Sequence, residues 1–322
     1  RSMSEFSQQL VAAVLQGVRL DRETALRLAA EPKPAVWDGA DRIRRHFHGN
    51  RFSLCAIINA RSGRCSEDCR FCAQSARYRS SINEYEIIDQ DEAVRLAAES
   101  DRYGVHRLSL VTSGRSADDA LLARLAEIYR KIKTVSRQRL CGSMGLLSRD
   151  KARRLKEMGL SRYHCNLEAS RGFFPRVCTT HSWDEKRETL RLAREEGLSL
   201  CSGGIIGMGE SMADRIDLAL ELRDLEVDSI PLNILTPIPG TPLADLQPLG
   251  IEEVLTTIAL FRFINPGVVL RIAGGRQQLG ADQYRCFTAG ANGAMVGNYL
   301  TTSGSAIGAD LRNFTALGYS FA

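Results

Sequence analysis

From residue 53 to residue 297 the chain alternates short apolar runs with longer amphipathic stretches, and few folds can absorb such a pattern. The runs Ser53–Asn59, His106–Thr112, Arg139–Met144, Arg162–Leu167, Leu198–Ile205, Ser229–Leu235, Val268–Ile272 and Ala294–Gly297 predict strands. Between them, Asp91–Tyr103, Asp118–Lys133, Ser148–Met158, Trp183–Glu196, Ser211–Leu225 and Ile251–Phe263 carry apolar residues at helical spacing. Eight strands alternating with helices over roughly 250 residues indicate an α/β fold of the (β/α)8 TIM-type barrel class. The competing architecture, an open doubly wound sheet, would place a phosphate-binding glycine turn after its first strand. Here that turn reads Ala60-Arg61-Ser62-Gly63-Arg64 and runs into cysteines, which favours the barrel. Residues 4 to 48 read as helical, with Asp21 placed to cap Arg22–Ala30. The expected organisation is an N-terminal helical extension over 1–50 and a barrel domain with a C-terminal segment over 51–322.

The 43 basic and 38 acidic residues are interleaved, as in Arg149-Asp150-Lys151, so no basic stripe marks a nucleic-acid partner. Apolar stretches are strand-sized, short of a membrane span, and no signal-peptide pattern is seen, so a cytoplasmic location is expected. Nine cysteines, an odd number in a large chain, argue for reduced thiols, metal ligands or catalysis rather than a disulfide framework.

Three of the nine sit in Cys65-Ser66-Glu67-Asp68-Cys69-Arg70-Phe71-Cys72, directly after the first predicted strand. Structural zinc takes four closed ligands and ferredoxin clusters use four cysteines, so three converging thiolates suit a 4Fe–4S cluster with one iron left open to a small molecule. Phe71 offers an aromatic face that shields the cluster or stacks on an adenine. The plain alternative is a structural zinc loop that borrows a distant ligand such as Cys178 or His181.

The triplet and its place resemble the radical S-adenosyl-L-methionine (SAM) enzymes from about residue 50 onward. That resemblance implies that SAM chelates the open iron through its amino and carboxylate groups and is cleaved, on one-electron reduction, to a 5′-deoxyadenosyl radical. Gly203, Gly204 and Ile205, in the segment running to Glu210, match that family's Gly-x-Ile-x-Gly-x-x-Glu text, and Asn166 and Glu168 fall where the family binds the ribose or amino-acid end of SAM. Within the superfamily the chain is most similar to the biotin synthases. The matching text includes Cys65 to Ser75, Asn166-Leu167-Glu168, Cys201 to Ile205, Asn233, Gly240 to Leu243, Arg271, Ala289 to Asn292 and Leu300 to Thr302.

The biotin synthase resemblance implies sulfur insertion into dethiobiotin to form biotin, with the sulfur given up by an auxiliary iron–sulfur cluster inside the barrel. By position, the usual auxiliary ligands fall on Ser109, Cys141, Cys201 and Arg271, so the chain reads as a divergent form with serine at one cysteine position. Strand parity and the resemblance together offer Cys55 as replacement, which would give a four-iron auxiliary cluster on Cys55, Cys141 and Cys201, with a 2Fe–2S cluster as the alternative. Arg107 shares inward parity with its strand's lumen face, as does Arg271. Cys178 is a reserve ligand, while Cys165 and Cys286 read as core thiols. The resemblance further assigns Asn166 and Asn233 to the ureido ring of the substrate, and Thr301 and Thr302 to its carboxylate. It also implies an electron donor such as flavodoxin or ferredoxin, and a homodimer. The rival readings are a related radical SAM enzyme of cofactor biosynthesis or carbon-skeleton rearrangement without sulfur insertion, and an iron–sulfur sensor or carrier.

Overall fold

The computed structural model describes residues 4–298, 304 and 306–321. Nine parallel strands close into a barrel: β1 (Ser53–Arg61), β2 (Arg107–Thr112), β3 (Arg139–Ser143), β4 (Arg162–His164), β5 (Ser199–Cys201), β6 (Gly204–Ile206), β7 (Ser229–Ile234), β8 (Val269–Ile272) and β9 (Gly293–Met295). β5 and β6 are two halves of one stave, interrupted at Ser202-Gly203, and both pair with β7. The architecture is therefore the eight-staved (β/α)8 barrel that the alternation predicts.

The strands carry their apolar residues on the outside. Along β1, Leu54, Ala56 and Ile58 are buried beneath the helices while Cys55, Ile57 and Asn59 are only partly buried. A packed barrel interior would bury both faces; this one is hollow, and the polar residues of the alternation point into the hollow. Helices α4 (Gln90–Arg102), α5 (Asp119–Val135), α6 (Arg149–Glu157), α7 (Trp183–Glu195), α8 (Met212–Asp224) and α9 (Ile251–Ile264) surround it. Their starts follow side-chain caps at Asp89, Asp118, Ser148, Ser182 and Ser211, the last two closed into capping boxes by Glu185 and Asp214.

Helix α9 is buried almost all round, which needs a cover on its outer side as well. The N-terminal helices α1 (Glu5–Leu15), α2 (Arg22–Ala29) and α3 (Lys33–His48) supply it. Trp37 Nε1 donates to Thr256 Oγ1 at 3.1 Å and Arg223 to the Leu20 carbonyl at 2.7 Å, so the extension packs as part of the barrel wall.

The C-terminal segment shuts the N-terminal end of the barrel. Phe314, on α10 (Ile307–Ala316), stacks on Phe52 with ring centroids 4.3 Å apart and meets Phe287 edge-on, and Tyr319 closes the cluster. Neither α10 nor the 3-10 segment Arg276–Thr288 carries a strong enough apolar period to be read from the sequence. Both are held instead by a fully buried ion pair, Arg276 Nη2 to Asp310 Oδ2 at 2.7 Å, with Tyr284 donating to the same carboxylate. Asp310→Ala removes the carboxylate from a buried guanidinium, and unfolding in urea should show a loss of about 3–5 kcal/mol. A loss below about 1 kcal/mol would mean that the pair does not hold the closure.

Candidate functional site

A cavity of about 430 Å3 occupies the hollow and opens at the C-terminal ends of the strands. Its deep part is built from residues near the N-terminal ends of the strands. In register, Cys55 on β1 pairs with Arg107 on β2, Ser109 with Cys141 on β3, and Cys141 with Arg162 on β4, while His164 pairs with Cys201 on β5. Paired residues of parallel strands share a face, and all of these line the cavity together with Arg271.

Three guanidinium groups therefore meet at the floor, each anchored by a serine at a neighbouring strand start. Arg107 donates to Ser161 Oγ at 3.0 Å, Arg162 to Ser199 Oγ at 2.9 Å and Arg271 to Ser53 Oγ at 3.0 Å. Among the described residues none of the three has an ion-pair partner. The anionic candidates beside them are thiols: Arg107 Nη1 lies 3.7 Å from Cys141 Sγ, and both Arg271 and Arg162 act on Cys55 and Cys201. Burial pushes the Cys201 thiol up to about 11 and raises Cys55, with the arginines pulling the other way. Arg162 is drawn below its ordinary value by burial and by Arg107. Burial thus opposes charge on Arg162 and on Cys201, while each favours the charge of the other, so negative charge on sulfur would offset the desolvation of the guanidinium.

The mouth holds the second cysteine set. Cys65, Cys69 and Cys72 all line the cavity, in a loop fixed by Cys65 N donating to the Gln74 carbonyl and Ala76 N to the Cys65 carbonyl at 2.8 Å. Burial and then the neighbouring Cys65 push the Cys72 thiol up to about 11, against hydrogen bonding from the backbone. Phe71 and Ile205 pack against an apolar group of Phe173, Val177, Met208 and Leu235, an apolar wall beside the triplet.

Glu168 ends the β4 stave in a left-handed conformation, φ 68°, which costs a non-glycine residue about 1–3 kcal/mol and marks a position held by its surroundings. Its Oε2 is buried without a hydrogen-bond partner, and burial raises its pKa. Lys186, reaching in from α7, also lines the cavity; burial works against its ammonium, but Cys165, Glu168, Cys69 and Cys178 push its pKa up. Asn166 Oδ1 accepts from Gly203 N at 3.0 Å, and Asn233 Oδ1 accepts from Gly274 N at 2.8 Å, so backbone fixes both amides at the cavity wall.

These features agree with what the chain is similar to. The profile of the Radical SAM superfamily matches residues 60–222, and that of the Biotin and Thiamin Synthesis associated domain matches residues 231–320. Biotin synthase of Desulfotalea psychrophila is 55% identical over 273 residues, covering 85% of this chain and 81% of that protein. Biotin synthase 2 of Corynebacterium diphtheriae is 48% identical over 314 residues, covering 97% of this chain and 95% of its own. The chain belongs to the biotin synthase family. It is a radical SAM enzyme, and the crystal structure of methylornithine synthase shares its fold, with a TM-score of 0.84 at 20% identity over 97% of both chains.

For this biotin synthase family member, one expectation is overturned. The sequence reading placed its departure from the family at Ser109, as a replaced metal ligand. The side chains that converge at metal-ligand spacing are instead Cys69, Cys178 and His181, whose ligand atoms lie within 4.8 Å of one another, so the additional ligand-type residue is a histidine and not a serine. Ser109 donates weakly to the Leu110 carbonyl at 3.5 Å. The convergence joins two loops more than 100 residues apart, which motif spacing cannot show.

Gly203 and Gly204 have a structural role. A Cβ on Gly203 would lie 1.8 Å from the Pro231 carbonyl oxygen, and one on Gly204 2.5 Å from that of Glu168, so both are needed for the stave crossing. Glu210 is a clamp: it accepts from Gly207 N and Met208 N and pairs with buried Arg215 at 2.7 Å. Cys165 and Cys286 are buried, as core thiols should be, although β4 ends at His164 and Cys165 reaches the cavity wall. Thr301 and Thr302 lie outside the described residues. Sequence reasoning missed Arg162, His164 and Lys186. Inward parity from Asn166 would have found the first two, since both lie an even number of residues before it; Lys186, on a helix, gave no such signal.

Gly203→Ala separates a structural role from a SAM-contact role. With Pro231 in the way the variant should lose about 3 kcal/mol of stability in chemical denaturation even without SAM. An unchanged unfolding midpoint with weakened SAM binding would reverse that reading.

Proposed function

We propose that the enzyme converts dethiobiotin to biotin by inserting sulfur between two saturated carbons, with Cys65, Cys69 and Cys72 holding a 4Fe–4S cluster at the mouth and Cys55, Cys141 and Cys201 a four-iron, sulfur-donating cluster at the floor. One observation carries this reading: two sets of three cysteines stand at different depths of one cavity, the deeper set beside three arginines, Arg271 buried and Arg107 and Arg162 partly so, that have no carboxylate partner among the described residues.

The donor sets fit these groups. Soft thiolates suit iron–sulfur clusters, and an anionic cluster at the floor supplies the negative charge that Arg107, Arg162 and Arg271 lack. At the mouth three thiolates leave one iron open, and Glu168 and Lys186 present one charge of each sign to the amino-acid end of SAM. When bound and reduced, the SAM–cluster pair supplies a 5′-deoxyadenosyl radical, which takes hydrogen from unactivated carbon.

The remaining residues hold and orient. Phe71 and Ile205 give the adenosyl group an apolar wall that keeps water from the reacting carbon. Asn166 and Asn233, each with its carbonyl oxygen already fixed by a backbone N–H, present amides of matching chemistry to the ureido ring. A ring held there would lie in the same cavity as both cysteine sets that would hold the clusters. Thr301 and Thr302 would take the substrate carboxylate. Electrons come from a donor such as flavodoxin or ferredoxin, and the working form is a homodimer. The barrel domain spans 51–322 and the helical extension 1–50. A rearranging enzyme without sulfur insertion would have no use for the thiols and arginines of the floor.

Anaerobic iron and sulfide analysis with Mössbauer spectroscopy tests the cluster content: about eight irons per chain for two four-iron clusters, about six for a two-iron floor cluster, about four for an empty floor. Cys65→Ala should abolish 5′-deoxyadenosine formation. Cys55→Ala should keep SAM cleavage while losing the floor cluster and biotin. An intact floor cluster in the Cys55 variant would refute the ligand assignment, and failure of dethiobiotin to stimulate SAM cleavage would refute the substrate.

A further inference from the structure

We propose that Cys69 Sγ, Cys178 Sγ and His181 Nε2 form a site for one thiophilic divalent cation, zinc(II) or iron(II), in the cluster-free chain, and that its occupation and assembly of the mouth cluster exclude each other. One ligand atom from each of the three residues lies within 4.8 Å of the others, with Cys178 buried. Cys178 Sγ is 3.4 Å from His181 Nδ1 and 3.8 Å from Nε2, and the second distance is close to the tetrahedron edge of about 3.6 Å that a zinc–sulfur bond of about 2.3 Å and a zinc–nitrogen bond of about 2.0 Å define.

The surroundings are those of a metal-binding histidine. Nδ1 of His181 lies 2.5 Å from Glu67 Oε2, and both side chains are buried. With Nδ1–H donating to the carboxylate, the Nε2 lone pair is left for the cation, the carboxylate–histidine–metal arrangement that fixes tautomer and ring orientation. Glu67 is itself held by Ser66 Oγ at 3.0 Å and faces Arg115 at 3.5 Å.

Two loops bring the ligands together, and a second set of contacts locks them. Asp68 accepts from Thr179 N at 2.8 Å and Thr180 N at 3.2 Å, Asp68 N donates to Thr180 Oγ1 at 3.1 Å, and Arg70 N donates to the Val177 carbonyl at 3.0 Å. The geometry therefore does not depend on flexible side chains finding each other. Lys186 faces the same group and opposes a cation, but two thiolates cancel the charge of the dication, and Glu168 answers the lysine. The cation takes two thiolates and a neutral imidazole nitrogen, so any protons on those three ligand atoms go to solvent, and no oxidation state changes.

Exclusion rests on the proposed role of Cys69 in the mouth cluster, since one thiolate cannot complete both centres in the same geometry. The cluster-free chain would thus hold a single cation at the place where the cluster must form, set by Cys178 and His181, which the cluster itself does not need.

Reduced, cluster-free, full-length protein titrated anaerobically with cobalt(II) should show thiolate-to-cobalt charge-transfer absorption and tetrahedral d–d bands saturating at one equivalent, all displaced by zinc(II). Cys178→Ser and His181→Ala should each lose the one-equivalent signal, and Glu67→Gln should weaken binding about 10–100-fold. Cys65→Ala should keep it. Circular dichroism verifies folding, and the near-isosteric Cys178→Ser carries the test if His181→Ala misfolds. A signal that survives Cys178→Ser, or that vanishes in Cys65→Ala, would overturn the site. Protein reconstituted with iron and sulfide should take up no cobalt(II); uptake with the cluster absorption unchanged would overturn exclusion, separately from the site itself.

Discussion

Three guanidinium charges enclosed by a β-barrel, with serine hydroxyls but, among the described residues, no carboxylate against them, set the terms for the rest of this structure. Leaving a charge buried and unpaired costs several kcal/mol, so the lumen cannot be a dry packed core of the usual barrel kind. It has to be polar, hollow and chemically occupied. The strands respond by turning their apolar faces outward, Leu54, Ala56 and Ile58 on β1, and the hydrophobic core becomes a shell between barrel and helices. A hollow barrel then needs a stopper, which the stacked rings of Phe52, Phe287, Phe314 and Tyr319 provide at the closed end.

The open end is built by a different principle. Charges of both signs meet there, Glu168 with Lys186 and Glu67 with Arg115, and two loops are riveted through Asp68 rather than packed by apolar contact. Against a burial penalty, hydrogen bonds from Thr179 hold the Asp68 carboxyl well below the usual carboxylate range. Mixed charge lets that end receive a zwitterionic group such as the amino-acid part of SAM, whereas the uniformly positive floor accepts an anion.

Much of this was legible in the chain. The alternation located every stave, because burial on one face leaves a period-two record, and the cysteine triplet announced the mouth through spacing alone. Cys141 and Cys201 followed from the family resemblance and Cys55 from the resemblance with strand parity, and all three line the cavity. What escaped had no local record. Helix α10 is held by Asp310 meeting Arg276 across the fold, and although Cys178 and His181 stand in the sequence as distant ligand candidates, their convergence on Cys69 depends on loop docking. The emphasis on Ser109 failed for a related reason: position within a strand says which way a residue points, but not whether other ligands assemble around it.

Between the two ends the cavity wall presents two side-chain amides. Asn166 and Asn233 are fixed by Gly203 N and Gly274 N, and those glycines are themselves hemmed in: a Cβ on Gly203 would strike Pro231, and one on Gly274 would lie 3.1 Å from Asn233 Oδ1. The amides are therefore oriented before any ligand arrives, by backbone N–H groups in the segments just beyond β5 and β8. Under the proposed chemistry the reacting carbon must face the mouth for hydrogen loss and the floor for sulfur gain. Two amides fixed in advance would suit such a reaction, because a donor–acceptor pair that is already oriented needs no rearrangement when the ring binds.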